Sequence, residues 1–150
     1  LLQRLNRFLF ERTETSRYVT LFYGELDPAR RALAYVNAGH VPPYLLRADG
    51  REERLRSGGP VVGLLEEVAF EAGEVVLRPG DLLVAVTDGV TEAMTPAGEE
   101  FGDARTLGLL RQQRGRDARQ AIDALVEAVA GWTSTAGCSD DLTVLTLRAT

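Results

Sequence analysis

Tight turns between short apolar runs constrain the fold of this 150-residue chain more than any other feature. The run YVTLFYGELD, a strand from Tyr18 to about Leu26, leads into the turn DPARR and returns as ALAYVNA. Asp49-Gly50 separates PYLLRA from a polar return, and RPGD separates VAFEAGEVVL from DLLVAVT. Connections this short leave no room for helical crossovers, so we expect consecutive strands to pair antiparallel.

The apolar pattern changes to a helical period after residue 100. DARTLGLLRQQRG predicts a short helix, and DARQAIDALVEAVAGW predicts a longer one with Asp117 as its N-cap and Gly131 as its stop. The stripe expected to be buried on the longer helix comprises Ala118, Ile122, Leu125, Val126 and Val129. LLQRLNRFLFER predicts an opening helix and LTVLTLR a last strand. We therefore expect residues 1–150 to form a single α+β domain dominated by antiparallel sheet.

Composition excludes several classes of function. The net charge of −5 disfavours nucleic acid as a partner, because phosphate contacts need a clustered basic face. All 17 basic residues are arginine, which excludes a phosphate-loop lysine and a Schiff base. Cys138 is the only cysteine and cannot form an internal disulfide. With neither a signal peptide nor an apolar run of membrane-spanning length in the sequence, we expect a cytoplasmic protein without membrane contact.

Acidic residues stand at the ends of two predicted strands. Asp88 and Gly89 follow the apolar run DLLVAV, and the pair Asp140-Asp141 precedes LTVLTLR. Strand ends can bring distant carboxylates into one cleft, where a cation must neutralise them, and oxygen ligands suit Mg²⁺ or Mn²⁺ better than zinc. A plain Asp-Gly turn is the alternative, and the pattern alone does not decide between the two.

The sequence NAGHVPP holds the only histidine, His40, at the end of a predicted strand. Asn37, Gly39 and His40, followed by two prolines, predict a rigid corner of the chain. A structural role is the more frequent one for such a histidine, and a functional role stays open. No Ser-His-Asp triad is supported, because no serine lies in a G-x-S-x-G elbow.

The ordered motifs resemble one family over nearly the whole chain. YVTLFYGELDPARRALAYVNAGHVPPYLLR, GGPVVGLL, LRPGDLLVAVTDGVTEAMTPAGEEFG and SDDLTVLTLR are similar to the bacterial metal-dependent protein phosphatases typified by the stage II sporulation protein E and the sigma-factor regulator phosphatases. The resemblance implies a type 2C phosphatase fold, an antiparallel β-sandwich flanked by helices. It also implies two Mn²⁺ or Mg²⁺ ions that activate water for attack on phosphoserine or phosphothreonine.

The resemblance also assigns roles to residues. Asp88 matches one metal ligand and Asp140 another, while Asp141 is the less favoured ligand of its pair. Gly89, Asn37, Gly39 and His40 match positions that support the site; no catalytic side chain is assigned, and His40 is the one candidate. The family's first metal segment lies before Leu1, so we expect this chain to be the C-terminal majority of the domain and to be inactive alone.

Three hypotheses for the function follow. The first is a phosphoprotein phosphatase that acts on an anti-sigma-factor antagonist and follows an upstream sensor or signalling domain. The second is a catalytically silent module that keeps the phosphatase fold for binding or regulation. The third is a small-molecule phosphoesterase that uses the same dimetal chemistry.

Overall fold

The computed structural model describes residues 1–13, 17–133 and 141–150. They divide into two compact units, the first of Leu1–Pro42 with Leu55–Leu77 and the second of Pro43–Arg54 with Arg78–Thr150. The elements in chain order are α1 (Leu2–Arg12), β1 (Leu21–Asp27), β2 (Ala32–Ala38), β3 (Tyr44–Leu46), β4 (Glu52–Arg54), β5 (Gly58–Gly59), β6 (Gly73–Val76), β7 (Leu82–Val86), α2 (Asp88–Thr91), α3 (Gly102–Gln112), α4 (Ala118–Thr133) and β8 (Val144–Arg148).

The first unit is built on the hairpin of β1 and β2, which pair antiparallel from Leu21↔Ala38 to Asp27↔Ala32. Asp27 closes the turn, since its Oδ1 accepts the backbone N–H groups of Ala29 and Arg30 at 2.9 and 3.1 Å. β2 also pairs antiparallel with β6 and, over two residues, parallel with β5. The hairpin therefore lies where the turn DPARR predicts it.

The second unit contains a four-stranded antiparallel sheet in the order β4-β3-β7-β8. β7 lies between two partners, with four of its five residues buried. A strand with neighbours on both sides and cover on both faces needs apolar residues at successive positions. This explains why LLVAV is a continuous apolar run instead of an alternating one.

The prediction of an α+β fold with two antiparallel sheets and packed helices is confirmed. One pairing prediction is wrong, because β6 and β7 do not pair across RPGD. β6 pairs with β2, whereas β7 pairs with β3 and β8. The turn between them passes the chain from one sheet to the other, and Asp81 holds that turn by accepting the Arg78 N–H at 2.9 Å and the Ala48 N–H at 3.0 Å.

Helix α4 begins as predicted, and its buried face agrees with the predicted one in part: Leu125 and Val129 are buried as predicted, whereas Val126 is not. Asp117 accepts the Gln120 N–H at 2.8 Å while Gln120 Oε1 accepts the Asp117 N–H at 3.2 Å, a reciprocal capping box. The buried stripe is Ala121, Leu125, Val129 and Thr133, whereas Val126 is exposed. Its spacing of four residues turns the contact face away from Val126. Gly131 lies inside the helix rather than ending it.

A buried ion pair stabilises the second unit at the junction of β3 and β7. Arg47 donates to Asp81 Oδ2 at 2.8 Å, and these side chains are 9% and 1% exposed. Burial opposes ionisation of Asp81, but the backbone N–H groups of Arg78 and Ala48 and the Arg47 guanidinium outweigh it and lower the pKa of Asp81. Arg47 also donates to the two oxygens of Glu53 at 2.6 and 3.1 Å. Removing Arg47 would therefore leave the buried Asp81 without a cationic partner, whereas removing Asp81 would leave Arg47 with Glu53 alone.

We expect Asp81→Asn to lower the free energy of unfolding by about 1.5–3 kcal/mol, because Arg47 keeps Glu53 but loses its hydrogen bond to the buried charged acceptor Asp81. Urea denaturation followed by circular dichroism measures the change. Asp123→Asn is the matched control, since Asp123 forms an exposed pair with Arg119 on α4 and such pairs contribute little. Equal losses in the two variants would contradict the role of the buried pair.

Glu52 ties β4 to the end of α3. Its two oxygens accept a bidentate pair of bonds from Arg111 at 2.8 and 2.9 Å, and Arg114 donates to Oε1 at 2.6 Å. The hydrogen bonds from Arg111, followed by those from Arg114, lower the pKa of Glu52 from 4.5 to about 2. The ionised form is thus favoured by the folded state.

A carboxyl group whose pKa is lowered by folding stabilises the protein above its unfolded pKa, and this contribution disappears as the pH falls through the folded pKa. We therefore expect Glu52→Gln to reduce the melting temperature at pH 7. The difference from the wild type should shrink between about pH 5 and pH 2. Glu127→Gln, the same change on the exposed side of α4, serves as control. A difference independent of pH would exclude the ion-pair explanation.

Candidate metal site at the β7–β8 edge

Asp88 lies two residues beyond the end of the central strand β7. It opens the single helical turn α2, and Glu92, at the end of that turn, donates its backbone N–H to the Asp88 carbonyl at 2.7 Å. The Asp88 side chain is exposed, and its Oδ1 accepts the N–H of Gly89 at 3.0 Å. No described residue donates a hydrogen bond to Oδ2. Oδ2 of Asp88 is thus available to bind an ion or a water molecule from solvent.

The start of β8 lies beside the end of β7 because the two strands are antiparallel. Val86 is the register partner of Val144, and the Thr87 N–H donates to the carbonyl of Thr143 at 3.1 Å. The Thr87 hydroxyl accepts the Thr143 N–H at 2.9 Å and donates to the carbonyl of Asp141 at 3.1 Å. Asp88 and the segment that begins at Asp141 therefore lie at the same edge of the sheet.

Gly89 allows the closest approach of the two segments. A Cβ placed on Gly89 would lie 2.5 Å from the Asp141 carbonyl oxygen and 3.0 Å from its carbon. These are backbone atoms, so an added methyl group could be accommodated only by moving the chain. The glycine of the Asp-Gly pair is therefore required here by space.

The other acidic ligand predicted from the sequence, Asp140, lies outside the described residues, as does Cys138. Within the described ranges, no three His, Cys, Asp or Glu side chains form a group that could hold a metal ion. The donors at this edge are carboxylate and carbonyl oxygens, which Mg²⁺ and Mn²⁺ prefer. The oxygen donors of this edge thus have the chemistry that such an ion prefers, and the assignment of Asp88 as a ligand stays a prediction.

The second predicted set of site residues lies in the first unit. Asn37 is 5% exposed, and its Oδ1 accepts the His40 N–H at 2.8 Å while its Nδ2 donates to the His40 carbonyl at 3.0 Å. Gly39 has φ +71°, a conformation that favours glycine, and a Cβ there would lie 2.4 Å from a methyl carbon of Val61. These contacts form the rigid corner that NAGHVPP predicts.

The His40 ring makes one weak contact in the described part of the chain. Its Nδ1 lies 3.5 Å from the Thr20 hydroxyl. The backbone of His40 stabilises the corner through its hydrogen bonds to Asn37, while the ring is only partly buried. A catalytic role for His40 and a supporting role for this corner stay predictions.

Thr87 is the residue of this edge that the sequence analysis missed. The sequence feature that could have identified it is a hydroxyl residue directly between an apolar strand and Asp-Gly. At that position the hydroxyl can reach the backbone of the neighbouring strand. Glu92, in contrast, is exposed at the end of α2.

The family model of the stage II sporulation protein E matches residues 1–150, which is the whole chain. The chain belongs to the SpoIIE family. Protein IcfG of Synechocystis is 38% identical over 100 residues, which are 67% of this chain and 16% of IcfG. Phosphoserine phosphatase RsbU of Bacillus subtilis is 31% identical over 98 residues, which are 65% of this chain and 29% of RsbU.

The fold is that of a SpoIIE phosphatase domain. The solved phosphatase domain of SpoIIE from Bacillus subtilis, presoaked with Mn, superposes with a TM-score of 0.72 at 22% identity and covers 99% of this chain and 64% of that chain. The chain spans between 16% and 29% of the length of the curated relatives it matches. Among the described residues, no helix has the length and hydropathy needed to cross a membrane.

We expect Asn37→Ala to lower the free energy of unfolding of this SpoIIE-family domain by about 1–3 kcal/mol, because the part-buried N–H and carbonyl groups of His40 would lose their partner. Chemical denaturation measures the loss. Thr20→Val is the control, since it removes only the long contact to the His40 ring. A larger loss in the control than in Asn37→Ala would show that the ring, rather than the backbone bonds, stabilises the corner.

Proposed function

We propose that this chain is the C-terminal majority of a metal-dependent protein-serine/threonine phosphatase domain, in which Asp88 and Asp140 are metal ligands. The observation that supports it most directly is the shared edge of β7 and β8, where the carbonyl of Asp141 lies 3.1 Å from the Thr87 hydroxyl. Asp88 follows Thr87 in the chain, and Asp140 precedes Asp141. The chain neighbours of the two proposed ligands, Thr87 and Asp141, are thus joined by a hydrogen bond.

Mn²⁺ or Mg²⁺ is the cofactor that this set of oxygens favours. When bound, two such ions activate water and neutralise charge on a phosphoryl group. Asp88 and Asp140 would hold the ions together with ligands from the first metal segment of the domain, which we place before Leu1. Asp141 is the less favoured ligand, and Gly89 supports the site by leaving room for the Asp141 carbonyl.

The charge of this edge explains why a cation is required. A phosphorylated side chain carries a charge of about −1.5 to −2, and carboxylates such as Asp88 repel it. The chain is acidic overall, with a net charge of −5. Without a cation the site would exclude the group on which it is proposed to act.

A phosphoserine protein is the proposed substrate. RsbU, which resembles this chain over 98 residues, is named a phosphoserine phosphatase. We propose an anti-sigma-factor antagonist as the phosphoprotein, with an upstream sensor or signalling domain that controls the activity. The cytoplasmic location stays a prediction of the sequence.

The test uses the protein at its full natural length. Asp88→Asn should reduce the release of phosphate from a phosphoserine protein in Mn²⁺ by at least about 100-fold, because a neutral amide is a much weaker metal ligand. Asp117→Asn is the matched control, since asparagine caps a helix as well as aspartate does and the N-cap of α4 would be kept. Both rates are measured at the same Mn²⁺ concentration, just sufficient to saturate the wild type.

Wild-type activity of Asp88→Asn would contradict the assigned ligand. Absence of Mn²⁺ binding by the full-length protein in calorimetry would instead favour the catalytically silent module. A preference for nucleotide over phosphoprotein substrates would favour the small-molecule phosphoesterase.

A further inference from the structure

The Thr87 side chain spans the gap between the two acidic segments. Its hydroxyl has one proton, which it donates to the Asp141 carbonyl at 3.1 Å, and it accepts the Thr143 N–H at 2.9 Å. The Thr87 N–H adds a third bond, to the Thr143 carbonyl at 3.1 Å. The side chain thus fixes both the distance and the register between the residue before Asp88 and the residue after Asp140.

Gly89 follows Asp88 in the chain. Because it has no side chain, it permits the close approach of the Asp141 segment. Its φ lies outside the left-handed region, so the position does not need glycine for its backbone conformation. It needs glycine because a Cβ would lie 2.5 Å from the Asp141 oxygen. Alanine at this position would force the two segments apart.

Asp88 therefore lies between Thr87, which is hydrogen-bonded to the Asp141 segment, and Gly89, which leaves room for that segment. Metal ligands must be held within about 0.5 Å of their productive positions, and Mg²⁺ tolerates little departure from octahedral geometry. A change in the separation of the two segments would alter ligand geometry without touching any carboxylate.

We infer that Thr87 and Gly89 are positioning residues, which set the separation of Asp88 from the segment that begins at Asp141 and thereby determine metal affinity. This inference rests on the proposed function, because it takes Asp88 and Asp140 as the ligands. Thr87 acts through hydrogen bonds that serine can reproduce and valine cannot. Gly89 acts through space that alanine would occupy.

The experiment measures the Kd of the full-length protein for Mn²⁺ by calorimetry. Thr87→Val should raise the Kd about 10–100-fold, as loss of outer hydrogen bonds does in other metal sites, and Thr87→Ser should remain close to the wild type. Thr146→Val is the matched control, because its hydroxyl on β8 donates instead to the Ala118 carbonyl of α4. Thermal unfolding is recorded for every variant.

Gly89→Ala is the independent test if Thr87→Val does not fold, and it should also raise the Kd about 10–100-fold. Gly108→Ala is its control, because a Cβ on Gly108 meets no atom within 4 Å. A lower melting temperature with an unchanged Kd for Mn²⁺ would mean that these residues are merely structural and would overturn the inference.

Asp88→Asn separates this inference from the proposed function. Normal Mn²⁺ binding by Asp88→Asn would contradict the ligand assignment itself. If Asp88→Asn loses Mn²⁺ but Thr87→Val and Gly89→Ala bind it normally, the proposed function stands and the positioning role is wrong.

Discussion

The antiparallel pairing of β7 with β8 is the constraint on which the candidate site depends. Val86 lies opposite Val144, so the residues that follow β7 and those that precede β8 emerge at one edge. More than fifty residues separate Asp88 from Asp141 in the sequence, yet the ladder of backbone hydrogen bonds fixes them as neighbours. The proximity of Asp88 and Asp141 is therefore a consequence of strand register.

A buried polar side chain with several hydrogen-bond partners stabilises each unit. Asp81 accepts bonds from the backbone of Arg78 and Ala48 and from the Arg47 side chain, which fixes the turn that leads into β7. In the first unit, Asn6 of α1 plays a similar part, accepting the Gly63 N–H and donating to the Leu65 carbonyl. A buried polar side chain with all its partners present specifies one arrangement, because any other arrangement leaves a group unsatisfied.

Membership of the SpoIIE family and the geometry of the edge support the proposed function in different ways. The family supplies the chemistry expected of the domain, whereas the hydrogen bonds of Thr87 and the space beside Gly89 belong to this chain. The affinity for Mn²⁺ depends on both the family's chemistry and this local geometry, because it changes with the ligands and with the residues that position them.

The sequence by itself determined the features that depend on neighbouring residues. The turn at Asp49-Gly50, the N-cap at Asp117 and the strand formed by DLLVAV are local, and each is found where it was predicted. Tertiary structure decided the pairing of β7 with β3 and β8 instead of β6, and the exposure of Val126 on α4. It also decided the approach of Gly89 to Asp141. These outcomes depend on which distant segment supplies the hydrogen-bonding or packing partner, and residue periodicity carries no information about that partner.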